Sequence, residues 1–518
     1  MTRIFLLFCL FTFSTFITAQ NQIPEIDDLQ VSVIGSFLTV DYAVSDDEND
    51  DLEVRLLVSD DGGETYDLNT ENATGDIGFP VTVGSGKSIS WDFSGTTILN
   101  DALKVKLAVD DRQVIDIQEI VDQVDSNRLR MDLEMVEGIR HRITGAAHLQ
   151  AVKDMLTAHF VNEGLEMESV QFDYNGYTAE NIVGWKRGEV IENETYIIDG
   201  HYDSVDDSPG ADDNGSAVVG VMEALRVLAP YQFKKSIKFI GFDLEEAGLV
   251  GSDHFVNTEG IKPFETISGV FNFEMIGYYT NAPNSQVFPP GFEILYPDVQ
   301  AELEADQFRG NFITNVGIEN FPGLAESYES AAATYVPELK VITILAPEAW
   351  PVFTPDLGRS DHARFWLAGI PALMLTDGSE FRYPYYHSPN DTLGNLDFTF
   401  MSNVVKATVA AVAEQAGLSH GTSAVADIAI VSSINQSLDC DFQVTPNPNS
   451  EYIFIDLNDC LNGNLNLEIY NVNGQVVYSQ KYNTPSIEVS TAHLAPGTYI
   501  LKLQQEQQTL QKKITIVR

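Results

Sequence analysis

The chain has 518 residues, with 76 acidic against 29 basic side chains and a formal net charge of -47 at pH 7. That field repels a phosphate backbone, so nucleic acid is excluded as a partner class. Beyond the first residues, no segment reaches the roughly 20 apolar residues that a bilayer core requires, so the mature chain has no transmembrane span.

Residues 1–19 carry an early Arg3, an apolar run and the small Ala19, the pattern of an export signal cleaved near Ala19. Residues 24–115 alternate apolar and polar side chains in short runs (LQVSVIGSFLTVDYAV, LEVRLLVS, KSISWDF, LKVKLAVDD) separated by Asp/Gly turns. That period predicts antiparallel strands in a small β-sandwich. The stretch resembles fibronectin type III or immunoglobulin-like modules. Asp46, Asp47, Asp50 and Asp51 read either as a calcium site or, more simply, as a solvated acidic turn.

Residues 119–418 change character. Helical patterns such as LQAVKDMLTAHFVNEGL alternate with the strand-like runs ETYIIDG, SIKFIGF, ISGVFNF and PALMLT. This predicts an α/β domain with a mixed, mostly parallel sheet flanked by helices, whose chemistry collects beyond the carboxyl ends of the strands. Residues 419–436 read as a linker. Residues 437–518 return to β pattern, with Asn473-Gly474 and Pro496-Gly497 turns, and predict a second small sandwich. Cys440 and Cys460 either pair in an oxidising compartment or remain thiols.

Within the central region, His201 follows the strand ETYIID, with Asp203 placed to hold its second ring nitrogen. In GADDNGS, Asp212 can bridge two cations through its two oxygens, and Asp213 can hold the loop. Strand 236–242 runs into Glu245-Glu246, where adjacent acids point in different directions and can divide their work: Glu246 as a ligand, Glu245 as a base. Glu274 ends the strand ISGVFNF, and His387 lies in YPYYHSPNDT after PALMLT. Two imidazoles with three carboxylates suit zinc.

The segments HYD at 201, PGADDNGS at 209, EE at 245, EMIGY at 274, SDHARFW at 360 and YYHSPNDT at 385 resemble metallopeptidase family 28, from around Met135 to Ala416. The resemblance implies a zinc exopeptidase fold and two Zn2+ per chain. Asp212 would bridge, with His201 and Glu274 completing one site and Glu246 and His387 the other. Glu245 would be the general base, and Asp203, Asp213 and Asp361 would support the ligands. Glu274 stands where the best-known bacterial members have Asp. Leu357 stands where they have a carbonyl-polarising Tyr, so Arg359, Tyr385 or Tyr386 would supply that donor. The implied activity is removal of N-terminal residues from peptides. A carboxypeptidase or dipeptidase is the alternative, with Arg359 and Arg382 as candidates to meet a substrate carboxylate. A glutaminyl cyclase or a non-catalytic surface module lies further off.

The tail motifs, together with Lys512-Lys513, resemble the C-terminal sorting domain of the type IX secretion pathway. This implies that the secretion machinery is a partner and that the protein is secreted or attached to the cell surface through the periplasm and outer membrane.

Overall fold

The structure, a computed structural model, describes residues 22–98, 102–258, 260–429, 442–446, 451–457, 465–471, 476–484, 486–505 and 508–516. The predicted export signal, both candidate disulfide cysteines and the Asn473-Gly474 turn lie outside those residues.

The N-terminal sandwich packs two antiparallel sheets. One orders Glu25–Ile34, Phe37–Ser45, Gly84–Asp92 and Thr74–Gly75; the other orders Gly421–Ala429, Ala102–Asp110, Leu52–Ser59 and Gly78–Val81. Their inward residues, including Leu38, Val40, Trp91, Leu56, Val58 and Val105, form one buried core. Asp46 closes its turn by accepting from the N–H groups of Glu48 and Asp50 at 3.1 Å each. Among the described residues, the groups of acids and histidines able to hold a metal all lie in the central domain.

The predicted linker at 419–436 is corrected over its described part, 419–429. Gly421–Ala429 is a strand that pairs with Ala102–Asp110 from Gly421 opposite Asp110 to Ala429 opposite Ala102. His420 Nδ1 lies 2.7 Å from Asp111 Oδ2, and the Ser419 hydroxyl donates to Asp110 Oδ2 at 2.8 Å. The segment GTSAVADIA supplies backbone donors and acceptors that complete a sheet edge begun far earlier in the chain. The chain therefore leaves the sandwich, builds the central domain and returns to it.

The central sheet has nine strands. Its middle four, Ala372–Thr376, Thr266–Phe273, Ile191–His201 and Lys235–Phe242, run parallel in that order. Tyr177–Lys186 joins Lys235–Phe242 antiparallel, Ile313–Ile318 joins Ala372–Thr376 antiparallel, and Val341–Ala346 then runs parallel to Ile313–Ile318. The apolar runs of the middle strands arise because both faces are covered. Ile198, Phe239 and Phe271 belong to one core with the helices Ser126–Val136, Ala217–Leu228, Pro322–Tyr335 and Phe398–Ala416. Ile197, Ile240 and Val270 belong to another with Val250–Asn257 and His362–Leu367. The parallel strands end together, so the residues that follow them meet at one edge.

The C-terminal region forms two further antiparallel sheets around Ile453, Ile455, Leu467, Ile469, Leu501 and Ile514. No helix among the described residues is long and apolar enough to cross a membrane.

Candidate active site

His201 is the last residue of its strand and is fully buried. Its Nδ1 faces Asp203, 3.2 Å from the backbone oxygen and 3.3 Å from Oδ1. The Asp203 carboxylate also accepts from the N–H groups of Glu245 and Glu246, at 3.1 and 3.2 Å. One acid thus faces the imidazole and accepts from the backbone of the glutamate pair.

The other ring nitrogen, Nε2, points into a cluster of acids. It lies 3.5 Å from Asp213 Oδ1, 3.5 Å from Glu274 Oε2 and 3.7 Å from Glu245 Oε2. On the far side, His387 Nε2 lies 3.0 Å from Asp213 Oδ2 and 3.3 Å from Glu246 Oε2. Two donor groups result, His201–Asp213–Glu274 and Asp213–Glu246–His387, each with ligand atoms within 4.8 Å of one another. Asp213 belongs to both.

The shared place predicted for Asp212 therefore falls to Asp213, whose two oxygens face one group each. The Asp391 carboxylate accepts from both backbone N–H groups, Asp212 at 2.9 Å and Asp213 at 3.1 Å. With the backbone so held, the two side chains leave in different directions. Asp212 turns inward, where its Oδ1 accepts from the Gly277 N–H at 2.9 Å. Burial, reinforced by the Asp377 and Asp391 carboxylates, holds Asp212 well above the usual carboxylate range. Sequence reasoning misses Asp391, although it lies four residues beyond His387 in the same motif. Its Oδ1 also accepts from the Tyr383 hydroxyl, at 3.0 Å.

Glu274 is positioned by two donors that sequence reasoning also missed, the Ser360 hydroxyl at 2.7 Å and Asn214 Nδ2 at 3.3 Å. Left-handed backbone gathers here: Leu244 before Glu245 (φ 59°), Met275 after Glu274 (φ 57°) and His387 itself (φ 50°). Such conformations persist only where surrounding contacts enforce them, and they cluster at functional sites.

The electrostatics follow from crowding acids in a buried cleft. Burial, with Glu274 and Glu246 alongside, raises Glu245 well above its usual range, His201 acting in the opposite sense. Burial and Asp213 push Glu246 up to about 7. Burial alone would lower His387, yet hydrogen bonding to Asp213 and Glu246 pushes it up to about 10. His201 is likewise held well above its ordinary value: burial opposes this, but Glu245, Asp203 and Glu274 prevail. Asp361 is buried nearby and pushed up to about 7 by desolvation, but it belongs to neither donor group.

Beside Glu274 opens a cavity of about 440 Å3, walled by Phe288, Phe292, Leu295, Tyr296, Phe353 and Met374, with Arg359 and Tyr386 also lining it. Tyr386 stacks on His387 with ring centroids 3.9 Å apart, and its hydroxyl accepts from Arg359 Nη2 at 3.2 Å. Arg359 also pairs with Glu380. Leu357 offers its backbone oxygen to His362 Nε2 at 2.9 Å. Tyr385 packs edge-on to Tyr383 and does not line the cavity. Arg382 is buried, with Nε donating to Gln286 Oε1 and Nη1 to the Phe312 backbone oxygen, each at 2.6 Å.

The donor set fits a metal. His201 Nε2 and Glu246 Oε1 are buried without a hydrogen-bond partner, and nitrogen with oxygen ligands suits zinc.

A model of peptidase family M28 matches residues 181–412, and one of the secretion system C-terminal sorting domain matches residues 443–517. The Escherichia coli (strain K12) protein YfbL is 32% identical over 264 residues, covering 48% of this chain and 75% of that protein. Aminopeptidase YwaD of Bacillus subtilis (strain 168) is 28% identical over 229 residues, 43% of this chain and 42% of that protein. Among solved structures, the Legionella pneumophila LapA aminopeptidase matches with a TM-score of 0.45 and 22% identity, over 59% of this chain and 74% of that one.

The family model and the curated relatives make the chain a metallopeptidase. The chain belongs to peptidase family M28. It spans three quarters of YfbL but less than half of YwaD. Its sorting domain marks it for secretion or for the cell surface.

Proposed function

We propose that the chain is a two-zinc aminopeptidase that removes N-terminal residues from peptides outside the cell. The observation that carries this reading is the placement of Asp213, whose two oxygens face separate donor groups, His201 with Glu274 and Glu246 with His387. These five residues would hold the two ions. Zinc at such a site supplies Lewis acidity and lowers the pKa of water toward neutrality.

Glu245 is the general base. It lies beside His201, is not needed in either donor group, and its raised affinity for protons suits it to take one from water and return it to the leaving nitrogen. Tyr386 is the donor to the developing oxyanion in place of the missing tyrosine at 357. Its stacking on His387 fixes the ring, and burial raises its pKa, so the hydroxyl keeps its proton. The apolar cavity beside Glu274 receives the side chain of the N-terminal residue, and the neighbouring acids favour its ammonium group. Arg359 and Arg382 do not serve as a carboxylate clamp, because the first is paired with Glu380 and the second is engaged by Gln286 and Phe312.

The test is Glu245→Gln assayed on Leu-p-nitroanilide and its N-acetylated form. The variant should retain its zinc while kcat falls by about 10³-fold, within the span of general-base removal. The wild type should cleave only the free-amine substrate. Retained activity in Glu245→Gln would remove the base assignment, and cleavage of the blocked substrate would remove the aminopeptidase reading.

A further inference from the structure

Besides the cavity beside Glu274, a second opening borders the donor groups. It is a cleft of about 290 Å3 lined by His141, Arg142, Tyr174, Asp206, Asp243 and Glu246, among others. It shares Glu246 with the second donor group, as the apolar cavity shares Glu274 with the first. If the N-terminal side chain fills the apolar cavity, as proposed above, the leaving portion of the peptide runs past Glu246 into this cleft.

Of the acids that line it, Asp203, Asp243 and Glu246 are already engaged. Asp203 caps the Glu245 and Glu246 N–H groups, Asp243 accepts from the Glu180 N–H at 3.1 Å and the Tyr177 hydroxyl at 3.2 Å, and Glu246 belongs to a donor group. Asp206 is exposed. Arg142 is different. Its guanidinium lies over the Tyr174 ring, 5.5 Å from the centroid, and among the described residues no carboxylate lies within ion-pair distance of it and it donates no hydrogen bond. Other arginines of this acidic chain, such as Arg128, Arg187 and Arg226, are paired with acids, and Arg140 spends its donors on backbone oxygens. A planar guanidinium held on an aromatic face keeps its donors free for a carboxylate. His141 lines the same cleft, with its Nδ1 3.1 Å from the Thr144 hydroxyl.

We propose that this cleft is the leaving-group subsite and that Arg142 receives the C-terminal carboxylate of a di- or tripeptide there. The inference rests on the aminopeptidase reading and narrows it to short peptides with a free C-terminus.

The experiment compares wild type with Arg142→Gln and Arg142→Lys on Leu-Gly, Leu-Gly-Gly, their C-terminal amides and Leu-p-nitroanilide. Loss of a charge-assisted contact should lower kcat/KM for at least one free-acid peptide by about tenfold to a hundredfold in Arg142→Gln. The lysine should restore part of that loss. The amides and Leu-p-nitroanilide, which offer no carboxylate, should be cleaved as by the wild type. Equal losses on acid and amide peptides, or no loss on either acid, would overturn the subsite while leaving the aminopeptidase reading intact. A wild type that cleaves none of these substrates would overturn both.

Discussion

The residue-scale lesson lies in the neighbours Asp212 and Asp213. Both are buried acids in one short loop, and their order in the sequence carries no direction. What separates them is the clamp from Asp391, far along the chain, together with the N–H of Gly277 that draws Asp212 inward. His201, Glu246, Glu274 and His387 were legible because each follows a strand or sits in a distinct motif. Asp203 was legible for its spacing from His201. The supports Ser360, Asn214 and Asp391 were not, since their roles exist only after distant loops meet. Glu246 gives a prediction at this scale. Its folded pKa, pushed up to about 7 by burial and Asp213, lies above that of an unfolded glutamate, so the folded state binds more protons. The stabilising contribution is complete below the unfolded value of about 4.3 and is lost as pH rises through 7. In the metal-free protein, melting temperature should therefore fall more between pH 5 and pH 8 in the wild type than in Glu246→Gln. Parallel curves from calorimetry would refute this.

At the scale of elements, the α/β region was readable because its middle strands are continuous apolar runs, a pattern that two covered faces demand. The runs did not reveal which outer strands turn antiparallel, because pairing direction depends on where the connections cross rather than on side-chain period. The return strand Gly421–Ala429 was missed for a similar reason: GTSAVADIA is short and weakly patterned, and its partner, Ala102–Asp110, lies far earlier in the chain. Gly421 tests it. A Cβ there would come within 2.2 Å of the Val109 backbone oxygen. Gly421→Val should destabilise the sandwich by about 1–3 kcal/mol, as overpacking does, and lower its thermal transition by several degrees. Activity per folded molecule should be unchanged. An unshifted transition would mean that this strand adds nothing to the sandwich.

At the scale of the whole molecule, the peptidase domain is framed by the sandwich at its entry and exit, and a sorting domain follows. The charge of -47 is compatible with an exported protein and opposes binding to polyanions. On the reading proposed above, one carboxylate, that of Asp213, joins two metal positions. The most direct measurement is zinc content per chain, after dialysis against buffered zinc, for wild type, Asp212→Asn and Asp213→Asn. Two zincs are expected in the wild type, close to two in Asp212→Asn, and a marked loss in Asp213→Asn with little change in far-ultraviolet circular dichroism. A wild type holding one zinc or none, or a loss confined to Asp212→Asn, would contradict it.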